Sequence, residues 1–231
     1  MADQRMRYSS ASSIPAVVAF VVAALGPARS FAGDGDRPDS EHLVLAGLGM
    51  AIPTYFLGVF AHEGSHAVAA KLVGADVVAL QLLPGRHPVN KKFYFGYTEI
   101  RGRLSPGRKA FFLIAPKLTD IVVLGGYAAM VGSDALPDNH YGQVALAVLA
   151  TGFWIDFSKD ILPFAEHHDM PRIYTMMGFR SEWARLPLRL VHAGLAAVAA
   201  VAVYKGYERI FDESDSAARA AWMVPIMRGS F

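Results

Sequence analysis

Apolar residues in this chain come in long runs rather than in the alternating patterns of half-buried helices or strands. After a short run at 14–25, longer ones cover residues 43–73, 110–131, 143–163 and 187–204. Each is near or above the roughly 20 residues that cross a hydrocarbon core. The pattern predicts an all-α polytopic membrane protein with about four transmembrane helices. The first long run is broken twice, by Pro53 and by the polar group His62-Glu63-Gly64-Ser65-His66, while Pro187 and Arg189 blur the start of the last. Gly47, Gly49, Gly58, Gly64 and Gly74 permit close approach of neighbouring helices.

Composition agrees with that picture. Of 231 residues, 53% are hydrophobic and 18% charged, too apolar for an ordinary soluble domain. A net charge of +2 argues against a nucleic-acid partner. With no cysteine in the chain, a disulfide framework, a thiol nucleophile and a Cys-ligated zinc site are excluded, so a metal must be held by His, Asp or Glu.

The first residues have the layout of a secretory signal: Arg5 and Arg7, the apolar stretch Ile14–Leu25, then "ARSFAGDGD" with Ser30 and Ala32 at the small-residue positions. Residues 1–32 are therefore expected to be a signal peptide cut after Ala32 or, uncut, a signal anchor. Residues 33–42 form a linker, 43–207 the membrane-embedded domain, and 208–231 a tail with an amphipathic, interfacial character.

Charge in the connections sets the orientation. Between residues 86 and 109 seven Lys and Arg face the single acid Glu99, whereas 132–142 holds two aspartates and no Lys or Arg. Arg172, Arg180 and Arg185 make the third connection basic again. By the positive-inside rule the first and third connections are cytoplasmic, in what is expected to be a bacterial inner membrane. Within the first, "FYFGYTEIRGRL" alternates aromatic or β-branched with small or polar residues, which predicts one or two short strands.

His62, Glu63 and His66 form H-E-x-x-H. On a helix, residues at i and i+4 share a face, so both imidazoles can bind one zinc ion while Glu63 reaches a bound water as general base. The ion lowers that water's pKa toward about 7, and the carboxylate can pass its proton to a leaving amine. Ionisable groups in an apolar span are costly unless paired or coordinated. A catalytic zinc usually has a third protein ligand, and the candidates cluster in "WIDFSKDILPFAEHHDMPRI": Asp156, Asp160, Glu166, His167, His168 and Asp169. Asp156 and Asp160 also share a helix face, as a polar stripe paired with Lys159 or Lys117 would. His192 reads as an interhelical residue, His87 and His140 as solvated loop residues, and Trp154, Trp183 and Trp222 as interface anchors.

Taken together, "AHEGSHAVAAKLVGADV", "FGYTEIRGRLSPGRKAFFLIAPKLTD" and "KDILPFAEHHDMPRI" resemble the site-2 protease family of intramembrane zinc metalloproteases, over residues 43–175. The resemblance implies zinc bound by His62 and His66, Glu63 as catalytic base, and the aspartate after the Leu-Pro turn, best matched by Asp169, as third ligand. It also implies a strand-bearing loop beside the site and a membrane-embedded peptide as substrate. Ala115-Pro116, Asp160 and Asp169-Met170 stand where the family has Gly-Pro, Asn and Asp-Gly, which keeps Asp160 and Asp156 as alternative ligands. Two other classes fit the same residues: a catalytically silent zinc-binding regulator or scaffold in the membrane, and a small metal or ion transporter using the polar groups as a pathway.

Overall fold

The computed structural model describes residues 38–162 and 168–211. The signal segment, Glu166, His167 and the tail with Trp222 lie outside them. Helix α1, Ser40–Leu72, carries the first apolar run without interruption, Pro53 included. It stops in a Schellman turn: Gly74 takes φ 77°, Ala75 N–H donates to the Ala70 carbonyl at 2.8 Å and Gly74 N–H to that of Lys71 at 3.1 Å.

Four short strands follow: β1 Asp76–Gln81, β2 Gly85–Arg86, β3 Phe93–Tyr94 and β4 Tyr97–Arg101. They pair as two nested antiparallel hairpins, β2 with β3 inside β1 with β4, and Leu80 lies opposite Thr98. The strand-bearing loop is thus more ordered than a solvated basic linker. His87, expected in solvent, is instead partly buried against Tyr94 and Tyr97, and its Nδ1 accepts the Val89 N–H at 3.2 Å.

Helix α2, Pro106–Gly132, opens on Ser105-Pro106; proline suits a first helical position because its missing N–H would have no intrahelical partner there. Helix α3, His140–Ser158, is capped by Asn139, whose side chain accepts the Gly142 N–H at 2.6 Å, so His140 begins a helix and is not a loop residue. A 3-10 turn, Lys159–Ile161, helix α4, Asp169–Met176, and helix α5, Glu182–Phe211, complete the described chain. The C-terminal boundary expected at 208 therefore falls four residues inside α5.

Helices α1, α2 and α5, of 33, 27 and 30 residues, are long and apolar enough to cross a membrane. Their outward faces are apolar as well, with Leu48, Ile52, Val122, Leu190, Val191 and Val198 all exposed, an arrangement suited to lipid and not to water. The fourth expected span, 143–163, is cut short. Helix α3 gives way at Ser158 to the 3-10 turn Lys159–Ile161, and Leu162, which precedes Pro163, is extended (φ −74°, ψ 143°), as the proline ring requires of its neighbour. Its 19 residues reach about 28 Å. Helix α3 is the innermost helix, in contact with α1, α2 and α5, and Val144, Ala147, Ala150, Phe153 and Phe157 are buried at helical spacing along it. Trp154 also turns inward and donates to the Ala196 carbonyl of α5 at 2.8 Å, so it ties helices together where an interface anchor was expected. Trp183 is exposed, as an anchor should be.

Two buried clusters result. One joins α3 to α5 and to one end of α1 and α2; the other packs Ala69 and Ala70 of α1 against Phe112, Leu113 and Ala115 of α2 and Ile173 of α4. The polar residues of interest lie where these clusters meet.

Candidate metal centre

His62 and His66 are one turn apart on α1, about 15 and 9 Å of helix rise from its end at Leu72. Helix α4 brings its first residue, Asp169, against them. Asp169 Oδ2 is 3.0 Å from His66 Nε2 and 3.5 Å from His62 Nε2, and donor atoms of the three residues all lie within 4.8 Å of one another.

The far side of each imidazole decides what this convergence means. His66 Nδ1 is 2.8 Å from the Phe112 carbonyl; a carbonyl only accepts, so Nδ1 carries the proton. His62 Nδ1 is 2.9 Å from Asp156 Oδ2, and a carboxylate accepts likewise. In the neutral rings both Nε2 atoms are then lone-pair donors, aimed at a carboxylate oxygen that is itself an acceptor. Three acceptors facing one another in a partly buried site suit a bound cation, and a second hydrogen bond from each Nδ1–H is the usual support of a metal-binding histidine. The residues present therefore fit a divalent metal.

Behind the pair lies a network of ion pairs. Lys117, buried in α2, lies 3.4 Å from Asp120, 3.3 Å from Asp156 and 3.5 Å from Asp160, and its Nζ also donates to the Asp156 carbonyl. Lys159 holds the other Asp156 oxygen at 2.5 Å, and Arg172 approaches Asp169 at 4.0 Å. Asp120, Asp156 and Asp160 thus share Lys117, with Lys159 on Asp156 and Arg172 near Asp169, as ionisable groups in an apolar span require.

Glu63 is buried beside the pair, and its Oε2 accepts the Thr98 hydroxyl of β4 at 2.8 Å. The same hydroxyl is 3.0 Å from the Glu63 carbonyl. Gly96 makes this approach possible: a Cβ there would lie 2.7 Å from Val59 Cγ1 and 3.0 Å from Glu63 Cγ.

Of the third-ligand candidates among the described residues, Asp169 alone joins the two histidines. Asp156 stands behind His62, and Asp160 accepts from His168 Nδ1 at 2.7 Å while facing Lys117; the polar stripe paired with Lys117 and Lys159 is present. His192 packs edge-on against Phe157, ring centroids 4.5 Å apart, outside the cluster. No family model, curated protein or solved structure matches the chain. Thr98 and the Phe112 carbonyl were not among the expected site residues: the first had no signal in the sequence, and the second is marked only by a proline four residues on.

Proposed function

We propose that this chain is an intramembrane zinc metalloprotease of the site-2 protease type, with His62, His66 and Asp169 as ligands and Glu63 as general base. The observation that carries the proposal is the convergence of two Nε2 lone pairs and one carboxylate, each imidazole fixed from behind, beside a glutamate next to the first histidine. In this reading α3 is the fourth, interior span, and the site faces the cytoplasmic side of a bacterial inner membrane, because the basic connections flank it.

Zinc, when bound, polarises a carbonyl and lowers the pKa of a water toward about 7. The chain's own residues do the rest. With Oε2 held by Thr98, Glu63 takes the proton of the attacking water on Oε1 and delivers it to the departing amine nitrogen. The apolar walls of α1 and α2 keep bulk water from the reaction. A helical substrate protects its peptide bonds by its own hydrogen bonds, so it must be unwound first. The two-stranded β1–β4 sheet leaves strand edges without partners among the described residues, and strand addition there holds an extended segment within reach of Glu63.

The test is cleavage of a model transmembrane substrate by the purified protein. Glu63→Gln keeps the ligands and the hydrogen-bonding shape, so it should retain one zinc per chain and lose cleavage. Retained cleavage in that variant overturns the mechanism, while a wild type that binds zinc and cleaves nothing favours the regulator or scaffold.

A further inference from the structure

Proline inside a helix removes one backbone donor, and the carbonyl four residues earlier loses its partner. Pro116 lies within α2, and the carbonyl it leaves free is that of Phe112. This carbonyl is the one that accepts His66 Nδ1–H at 2.8 Å, and the Phe112 ring covers the imidazole with centroids 4.6 Å apart. Pro116 itself is fully buried, so the vacancy cannot be filled by solvent.

We propose that Pro116 is a positioning residue of the metal centre: by freeing the Phe112 carbonyl it fixes the tautomer of His66 and turns Nε2 toward the metal. The inference rests on the metal reading above. An ordinary residue at 116 supplies an N–H that competes for the carbonyl, leaving His66 free to rotate or to place its proton on Nε2, where it blocks coordination. Pro53 provides an internal comparison. It too lies mid-helix, in α1, but the Gly49 carbonyl it frees accepts from no side chain among the described residues.

The experiment measures zinc affinity with a competing chelator, together with apo thermal stability, for wild type, Pro116→Ala and Pro53→Ala in detergent. Restoring a helix hydrogen bond should leave the apo melting temperature of both variants unchanged or raised. Zinc affinity should fall about 10- to 100-fold in Pro116→Ala, the usual effect of losing a ligand's supporting hydrogen bond, and stay within about twofold of wild type in Pro53→Ala. Unchanged affinity in folded Pro116→Ala overturns the proposal, as does a loss matched by lower apo stability or shared by Pro53→Ala. A wild type that binds no zinc refutes the metal reading instead. Should Pro116→Ala not fold, nitrogen NMR of labelled histidine in the wild type decides: a protonated, hydrogen-bonded Nδ1 on His66 is expected, and a proton on Nε2 is incompatible with the proposal.

Discussion

Replacing Thr98 by Val removes one hydroxyl and keeps the shape of the strand residue. In the structure that hydroxyl is the donor to Glu63 Oε2 at 2.8 Å, and it also touches the Glu63 carbonyl at 3.0 Å. A hydrogen bond to a charged group contributes about 1.5–3 kcal/mol. If that interaction holds the carboxylate in its working rotamer, its loss lowers kcat by about 10- to 100-fold, since each 1.4 kcal/mol is tenfold. Thr98 touches none of the three ligands, so zinc content should stay at one per chain. KM should move little, because the strand edge proposed to receive substrate is intact. Thr98→Ser keeps the donor and should recover most of the rate. Cleavage of a fluorogenic transmembrane substrate in proteoliposomes, with kcat and KM determined separately, is the assay. Wild-type kcat in Thr98→Val, or an equal loss in Thr98→Ser, refutes the assignment of Thr98 as the support of the base.

Lys117→Met leaves two buried aspartates, Asp120 and Asp160, and the partly buried Asp156 without their shared cation, a change that costs about 3–5 kcal/mol; denaturant or thermal unfolding should show it, and adding Asp156→Asn should cost less than the sum of the two changes. Gly96→Val drives a branched Cβ into Val59 and toward the Gln81 carbonyl 3.1 Å away. It should lift the hairpin from α1 at a cost of about 1–3 kcal/mol, with faster proteolysis of the loop and lower cleavage activity. Protons compete with metal for imidazole nitrogen and carboxylate oxygen. Zinc affinity should therefore weaken as pH is lowered and the apo protein should take up protons as it loses metal, both measurable by calorimetry in buffers of different ionisation enthalpy.

The readability of the site in the sequence follows the range of the interactions involved. His62, Glu63 and His66 could be placed together because one helical turn fixes their separation, and the long apolar runs marked α1, α2 and α5 without help from tertiary contacts. The third ligand was not settled by residue type, since six acids and histidines crowd residues 156–169. Which of them returns to α1 depends on the 3-10 turn after Ser158 and on the route into α4, and only the family resemblance singled out Asp169. Leu162-Pro163 marked a break near the end of the run, but not the switch from α3 to a 3-10 turn after Ser158. Thr98 meets Glu63 across 35 residues only because a hairpin docks on α1, a contact no local pattern announces. His87 and Trp154 look like surface residues by position; tertiary packing against Tyr97 and Ala196 overrides that.

The proposed chemistry requires one zinc ion between His62, His66 and Asp169, and X-ray absorption at the zinc edge of the purified protein would reveal it. One zinc per chain is expected, with two imidazole nitrogens at about 2.0–2.1 Å and light oxygen donors at about 2.0–2.2 Å completing the shell. The imidazole signal should fall to one in His66→Ala, and zinc should be retained in Glu63→Gln. Absence of stoichiometric zinc, or a shell unchanged by His66→Ala, contradicts it.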